Sequence, residues 1–247
     1  MSTSFNLSKS ITMNSPFPAP LCRLLPNYLL ILGLLLTSAD AIAQSSTSTC
    51  GELNTGSDYR TSSKQALDLV ENFHFTPEVE ALIRGKSSTS IAADLSYTLI
   101  AFPNHHRALM SLMLLGKKFK TPQPQGAQFN VECYFLRALR FRSDDTTARM
   151  MYASYLSNQN RGAEASKELA QVSEVAGDNA FTFYNMGQIY FDLKNYDKAL
   201  ENAHRAYGLG LSLTGLRDRL TRAGHWRDAD LAASSPTLGP TSRVQSQ

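Results

Sequence analysis

The sequence predicts an all-α fold: a stack of paired helices closed by a short C-terminal capping helix. Three observations predict it. Small and apolar positions recur at a constant shift of 34, so that Gly187 falls on Ala153, Ala199 on Ala165, Tyr190 on Leu156 and Ala206 on Val172. Within each interval the apolar residues stand three and four apart, which places them on one helix face. The turn-forming Ser143-Asp144-Asp145 and Gly177-Asp178-Asn179 recur at the same interval.

One step further back the interval lengthens to 40, with Leu139 on Leu99 and Ser143 on Pro103. The six extra residues belong to Lys120–Asn130, where Pro122, Pro124 and Gly126 break helices. The array then covers 72–213 as four units: 72–105, 106–145, 146–179 and 180–213.

Residues 1–43 read as a secretory signal peptide. Lys9 and Arg23 are the only charged residues before the apolar run Tyr28–Leu36, and Ala41-Ile42-Ala43 forms a small-residue cleavage site. That run has nine residues, against the ~20 that a spanning helix needs. An uncleaved anchor is the alternative, and translation starting at Met13 is another. The whole chain carries 24 basic and 21 acidic residues; without Lys9, Arg23 and Asp40 it keeps a net +2. A balance this near neutrality implies no polyanionic partner. Cys22 and Cys50 both lie outside a lipidation context.

Removal of 1–43 leaves Cys50 and Cys133, an even count in an oxidising compartment. Val131, Phe135, Ala138 and Leu139 make the apolar stripe of their helix, and Cys133 points about 200° from Val131. Off that stripe it is open to the N-terminal segment. The expectation is a Cys50–Cys133 bridge; two free thiols are the alternative.

The extension 44–71 contains a lead-in helix, Lys64–Phe73, and Thr76-Pro77 opens another with a cap and a first-turn proline. In the last unit Phe183, Met186, Gly187 and Tyr190 share one helix face. After a turn at Asp192–Asn195, the residues Tyr196, Ala199, Leu200, Ala203 and Ala206 share another. A glycine inside a helix costs ~1 kcal/mol relative to alanine. Close approach of two backbones, to ~8 Å between axes, is the packing reason that offsets it. Residues 214–226 cap the array with Leu213, Leu216 and Leu220 on one face, Gly224 as the stop and Trp226 folding back. The polar tail 233–247 reads as disordered.

Unit 180–213 resembles a tetratricopeptide repeat. Phe183 stands where that family often has tryptophan, Met186-Gly187 stands for its Leu-Gly pair, and Tyr190, Tyr196, Ala199 and Ala206 match its later positions, with Leu211 in place of the closing proline. Ala153, Leu156, Ala165 and Leu169 carry the resemblance into unit 146–179; unit 106–145 shares it mainly in its second helix, and unit 72–105 only in its end, TLIAFPNH. The resemblance implies a right-handed superhelical array of antiparallel helix pairs whose first helices line a concave groove. It points to Arg107, Met110, Leu114, Met150 and Ser154, and to the aromatic stripe Phe181, Tyr184, Gln188 and Phe191. Packing of that stripe against the first helix of the preceding repeat is the alternative.

The chemistry-bearing motifs are weak. No His-x-x-x-His spacing links His74, His105, His106, His204 and His225, so a zinc site on one helix is not expected. Asn104 reads as a helix cap with both neighbouring histidines in the first turn. Arg84-Gly85-Lys86-Ser87 matches the end of a phosphate-binding loop, but Glu80 stands where its first glycine belongs, so a flexible loop is expected. Gly208-Leu209-Gly210 reads as helix termination, and there is no G-x-S-x-G elbow.

These readings lead to a non-enzymatic binding scaffold, exported and periplasmic if the source is Gram-negative. No catalytic residue, metal or cofactor is expected. The partner is a protein or peptide segment, with no nucleic acid, no small-molecule substrate and membrane association only through a partner. Assembly, secretion or envelope maintenance would be its setting. A non-catalytic or cryptic-site subunit of an envelope enzyme and a self-stacking structural subunit are the alternatives.

Overall fold

Residues 50–53 and 55–229, the part of the chain that the computed structural model describes, contain ten helices and no strand. The expected signal peptide (1–43) and the tail 233–247 lie outside the described residues. The helices are α1 (Lys64–His74), α2 (Pro77–Glu80), α3 (Ile91–Ala101), α4 (His106–Phe119), α5 (Val131–Phe141), α6 (Thr146–Asn158), α7 (Gly162–Val175), α8 (Ala180–Asp192), α9 (Tyr196–Gly208) and α10 (Gly215–Arg222).

Side-chain caps set their starts. His105, Asp145 and Asn179 cap α4, α6 and α8 by accepting from the backbone N–H of Ala108, Ala148 and Thr182. These caps stand at the expected shifts, 40 and then 34. The helix stops repeat at the same intervals. Lys120, Asn160 and Lys194 all take positive φ, at 51°, 60° and 58°. Behind them Thr121, Arg161 and Asn195 donate their N–H to the carbonyls of Gly116, Leu156 and Tyr190 at 2.9–3.0 Å. A left-handed residue followed by this backward hydrogen bond is how a helix ends when the chain reverses sharply. Three residues therefore suffice to connect α6 to α7 and α8 to α9.

Helices in each of these pairs lie side by side. α4, α6 and α8 also pack in series, each on the next, while α10 packs on both α8 and α9. The core follows the small residues. Ala153, Ala165, Ala199 and Ala206 are wholly inaccessible and Gly187 is buried, with Tyr190 beside them. Phe183, Met186 and Leu216 fill the space between α8, α9 and α10. Each such side chain stabilises the fold by roughly 1.5–3 kcal/mol through removal from water.

Unit 72–105 departs from the expected helix pair. Its first helix, α2, is a single turn, because Leu82 takes a φ of 57° and the chain then loops round a buried carboxylate. Asp94 accepts from the N–H of Lys86 at 2.6 Å and of Ser88 at 3.3 Å, and its other oxygen meets His74 Nδ1 at 2.9 Å. The Arg84–Ser87 segment is thus shaped by the protein's own anion. α1 lies against α3.

The N-terminal extension is part of the fold. Cys50 and Cys133 form a disulfide, with 5.1 Å between Cα atoms. The buried Arg137 guanidinium donates from Nη1 to the carbonyls of Cys50 and Glu52 at 2.9 Å, and packs over the Phe129 ring. Further along, Ser57 N–H donates to Ala101, and Tyr59 N–H donates to the Asn104 side chain at 3.0 Å. Asn104 is fully buried and is not the helix cap that the sequence predicts. It donates at 2.8 Å to both Asp58 and Asp145. The cap is His105. Its Nδ1 accepts from Ala108 N–H, so Nε2 carries the proton and donates to Glu71 at 3.0 Å.

Candidate binding face

The outer side of the first helices follows the repeat between α6 and α8 and only in part in α4, where Ser111, the counterpart of Met151, is buried. Positions Phe181, Asn185, Gln188 and Asp192 stand at i, i+4, i+7 and i+11 on α8, away from its buried side; Phe181 and Asn185 are open, while Gln188 and Asp192 meet Arg219 of α10. A shift of 34 turns them into Thr147, Met151, Ser154 and Asn158 of α6. After a further shift of 40, Phe181 and Gln188 become Arg107 and Leu114 of α4. Because α4, α6 and α8 pack in series, these residues form successive rows on one surface. Its apolar points are Leu114 and Phe181, 45% and 60% exposed, with Met151 half-buried between them.

The residues expected to line a groove divide between this surface and the packing behind it. Phe181 and Leu114 are open. Arg107 is at the surface but held, its guanidinium paired with Glu80 and placed over the Phe75 ring at 5.1 Å. Met110 is half-buried and Met150 is buried, as members of the row that leads toward Tyr184. Tyr184, Gln188 and Phe191 are not a free aromatic stripe, because α10 covers them. Arg219 donates to Gln188 and to Asp192, and its guanidinium lies 4.1 Å from the Phe191 ring centroid. The Tyr184 hydroxyl abuts Gly215 so closely that a Cβ there would stand 2.8 Å away. The stripe packs on the following helix, where the alternative reading had the preceding one.

Met151, Asn185 and Asn158 are surface positions that the sequence reading passed over. The signal that would have found them is the repeat shift applied to the exposed side of the helix as well as to its core.

Two clefts open on the other side, between second helices, and they too are equivalent. One, of about 240 Å³, lies among Leu136, Leu139, Arg140, Arg149, Tyr152 and Glu168. The other, of about 330 Å³, includes Ala170, Ser173, Glu174, Met186 and Asn202. Leu136, Leu139, Arg140, Tyr152 and Glu168 map onto those five by a shift of 34. Ion pairs stiffen their surroundings: Arg149 holds Glu168 at 2.6 Å, and Arg161 joins Glu132 and Glu164 at 2.6 Å.

The histidines serve the packing. His106 pairs with Asp145 at 2.8 Å, and Asp145 caps α6. Burial pushes the His105 proton affinity down, and the Glu71 carboxylate offsets only part of that. His74 stacks on Tyr97 at 3.8 Å. Among the described residues no three His, Cys, Asp or Glu side chains converge to hold a metal. Among the same residues no helix is long and apolar enough to cross a membrane.

No family model, no curated protein and no solved structure matches the chain.

Proposed function

We propose that the protein is a non-enzymatic scaffold that holds a protein or peptide segment against the outward face of α4, α6 and α8, in a stack of the tetratricopeptide type. The observation that carries the reading is the fixed register. Caps and stops recur at the same two shifts, 40 and then 34, so successive first helices stand in one register, and Arg107, Leu114, Met151 and Phe181 fall on their outward side. Such a surface suits an extended or helical partner, which can meet one row after another. Two protruding apolar side chains among polar neighbours, Leu114 and Phe181, would be its anchors. Export, expected from residues 1–43, fits the disulfide, since such bonds persist in oxidising compartments.

The test is affinity capture from envelope extracts with the wild type and with a Leu114→Ala, Phe181→Ala variant. Both side chains are exposed, so the variant is expected to melt like the wild type. Loss of a partner at unchanged melting supports the reading. Recovery of the same partners in the same amounts rejects it.

A further inference from the structure

We infer that the end of the stack built from the 82–90 loop and the C-terminus of α4 rests on an anionic lipid surface. Two segments meet there. Lys118 Nζ donates to the Leu82 carbonyl at 3.1 Å, and Ser90 Oγ donates to the Gln125 carbonyl at 2.6 Å. The same Lys118 ammonium lies 5.8 Å from the Phe119 ring centroid. Ile83, the residue after that carbonyl, and Phe119 therefore flank one cation. They are among the most exposed large apolar side chains described, at 70% and 61%.

Cations outnumber anions around them, and the Asp94 carboxylate inside the loop is buried and bound to the Lys86 and Ser88 N–H groups. Arg84, Lys86, Lys117, Lys118 and Lys120 belong to these segments, and neither 81–93 nor 108–131 contains an acidic residue. Of the acidic neighbours in α2, Glu78 faces Arg84 at 3.7 Å and Glu80 is taken by Arg107. Apolar tips on segments rich in cations match the chemistry of an anionic bilayer surface. The tips enter the acyl boundary, while the lysines keep their ammonium groups at the phosphates. The lysines argue for lipid over a protein ligand: Lys117, Lys118 and Lys120 crowd the end of α4 beside Phe119, whereas Leu114 and Phe181 on the outward face stand among mostly polar neighbours.

Co-sedimentation with vesicles tests this, using vesicles of phosphatidylcholine alone and of phosphatidylcholine mixed with phosphatidylglycerol. The full chain is used throughout, so any contribution from the Tyr28–Leu36 run is common to every variant. The wild type is expected to prefer the anionic vesicles and to lose that preference as salt is raised. Lys117→Glu, Lys120→Glu should weaken anionic binding on the order of tenfold or more, since each surface cation contributes roughly fivefold. Ile83→Ser, Phe119→Ser should weaken it at every salt concentration. All four side chains are exposed, so melting should not change. Should either double variant melt early, Lys86→Glu carries the same test from a different segment. Equal binding to both vesicle types overturns the inference, as does wild-type vesicle binding by the variants. Variants that keep vesicle binding but lose a protein partner also overturn it and assign the patch to that protein.

Discussion

Gly187 and Leu216 contend for one volume: a Cβ on Gly187 would stand 2.5 Å from Leu216 Cδ2. It would also stand 3.2 Å from the Ala199 carbonyl oxygen and 3.4 Å from Asn202 Cβ. The glycine thus serves α9 and α10 together, and the capping helix is seated through the same gap that lets the last helix pair close. Gly187→Ala gains helix propensity, about 1 kcal/mol. The crowding costs roughly 1–3 kcal/mol, and a backbone oxygen on one side limits relief. The variant is expected to unfold at lower denaturant, and Leu216→Val should cost less in its presence than in the wild type. A double-mutant cycle measures this coupling; strict additivity would contradict the shared volume.

The disulfide joins residues 83 apart in sequence. Chain entropy puts its stabilisation at roughly 4–5 kcal/mol for a loop of that size. Thiol labelling of denatured, unreduced protein should find neither Cys50 nor Cys133 reactive. One reactive thiol, Cys22, marks a chain that keeps residues 1–43. Cys133→Ser should lower the unfolding midpoint and loosen the start of the N-terminal extension, which protease would then cut near Gly51.

Stability should fall in acid through Asp58 and Asp145. Arg60 first, with Asn104 and Arg142 beside it, holds the Asp58 carboxyl far below its usual range against the pull of burial. Burial pulls Asp145 the other way most strongly, and His106, the Ala148 N–H and Asn104 together outweigh it. Both carboxyls bind protons less readily folded than unfolded. Their stabilisation is therefore present above the ordinary carboxylate pKa of about 4 and is lost as pH falls through that value toward the lowered folded ones. The melting temperature should begin to drop at about pH 5 and fall most steeply below about pH 4, and Asp58→Asn should flatten the drop while lowering the plateau. An unchanged profile would contradict the network.

His105 acts in a higher range. Its folded proton affinity is lowered by burial, so below the ordinary histidine pKa of about 6.5 the unfolded chain takes up a proton that the folded chain refuses. Stability is full above that pH and declines beneath it. His105→Asn keeps an acceptor for the Ala108 N–H and should remove the decline between about pH 7 and pH 5.5. Thermal melts across that range check it.

The helices of 106–213 were legible because their signals are local: caps, reversals and a fixed spacing of small residues. The bridge was legible because Cys133 lies off an apolar stripe. What escaped depends on distant partners. α2 stops early because Asp94, eight residues beyond Lys86, gathers the loop amides. Asn104 gives up the cap because Asp58, 46 residues away, and Asp145, 41 residues away, claim its amide. The stripe of α8 looked open because nothing in its own spacing tells that α10 lies over it.

Photo-crosslinking from single positions tests the central claim most directly. A photoreactive side chain placed at Met151, at Phe181 and, as the control, at Val175, which is 66% exposed at the end of α7, is carried by otherwise native protein in the cells that make it. One and the same adduct is expected from Met151 and Phe181, and none from Val175. Adducts from Val175 alone, or from all three alike, would contradict it.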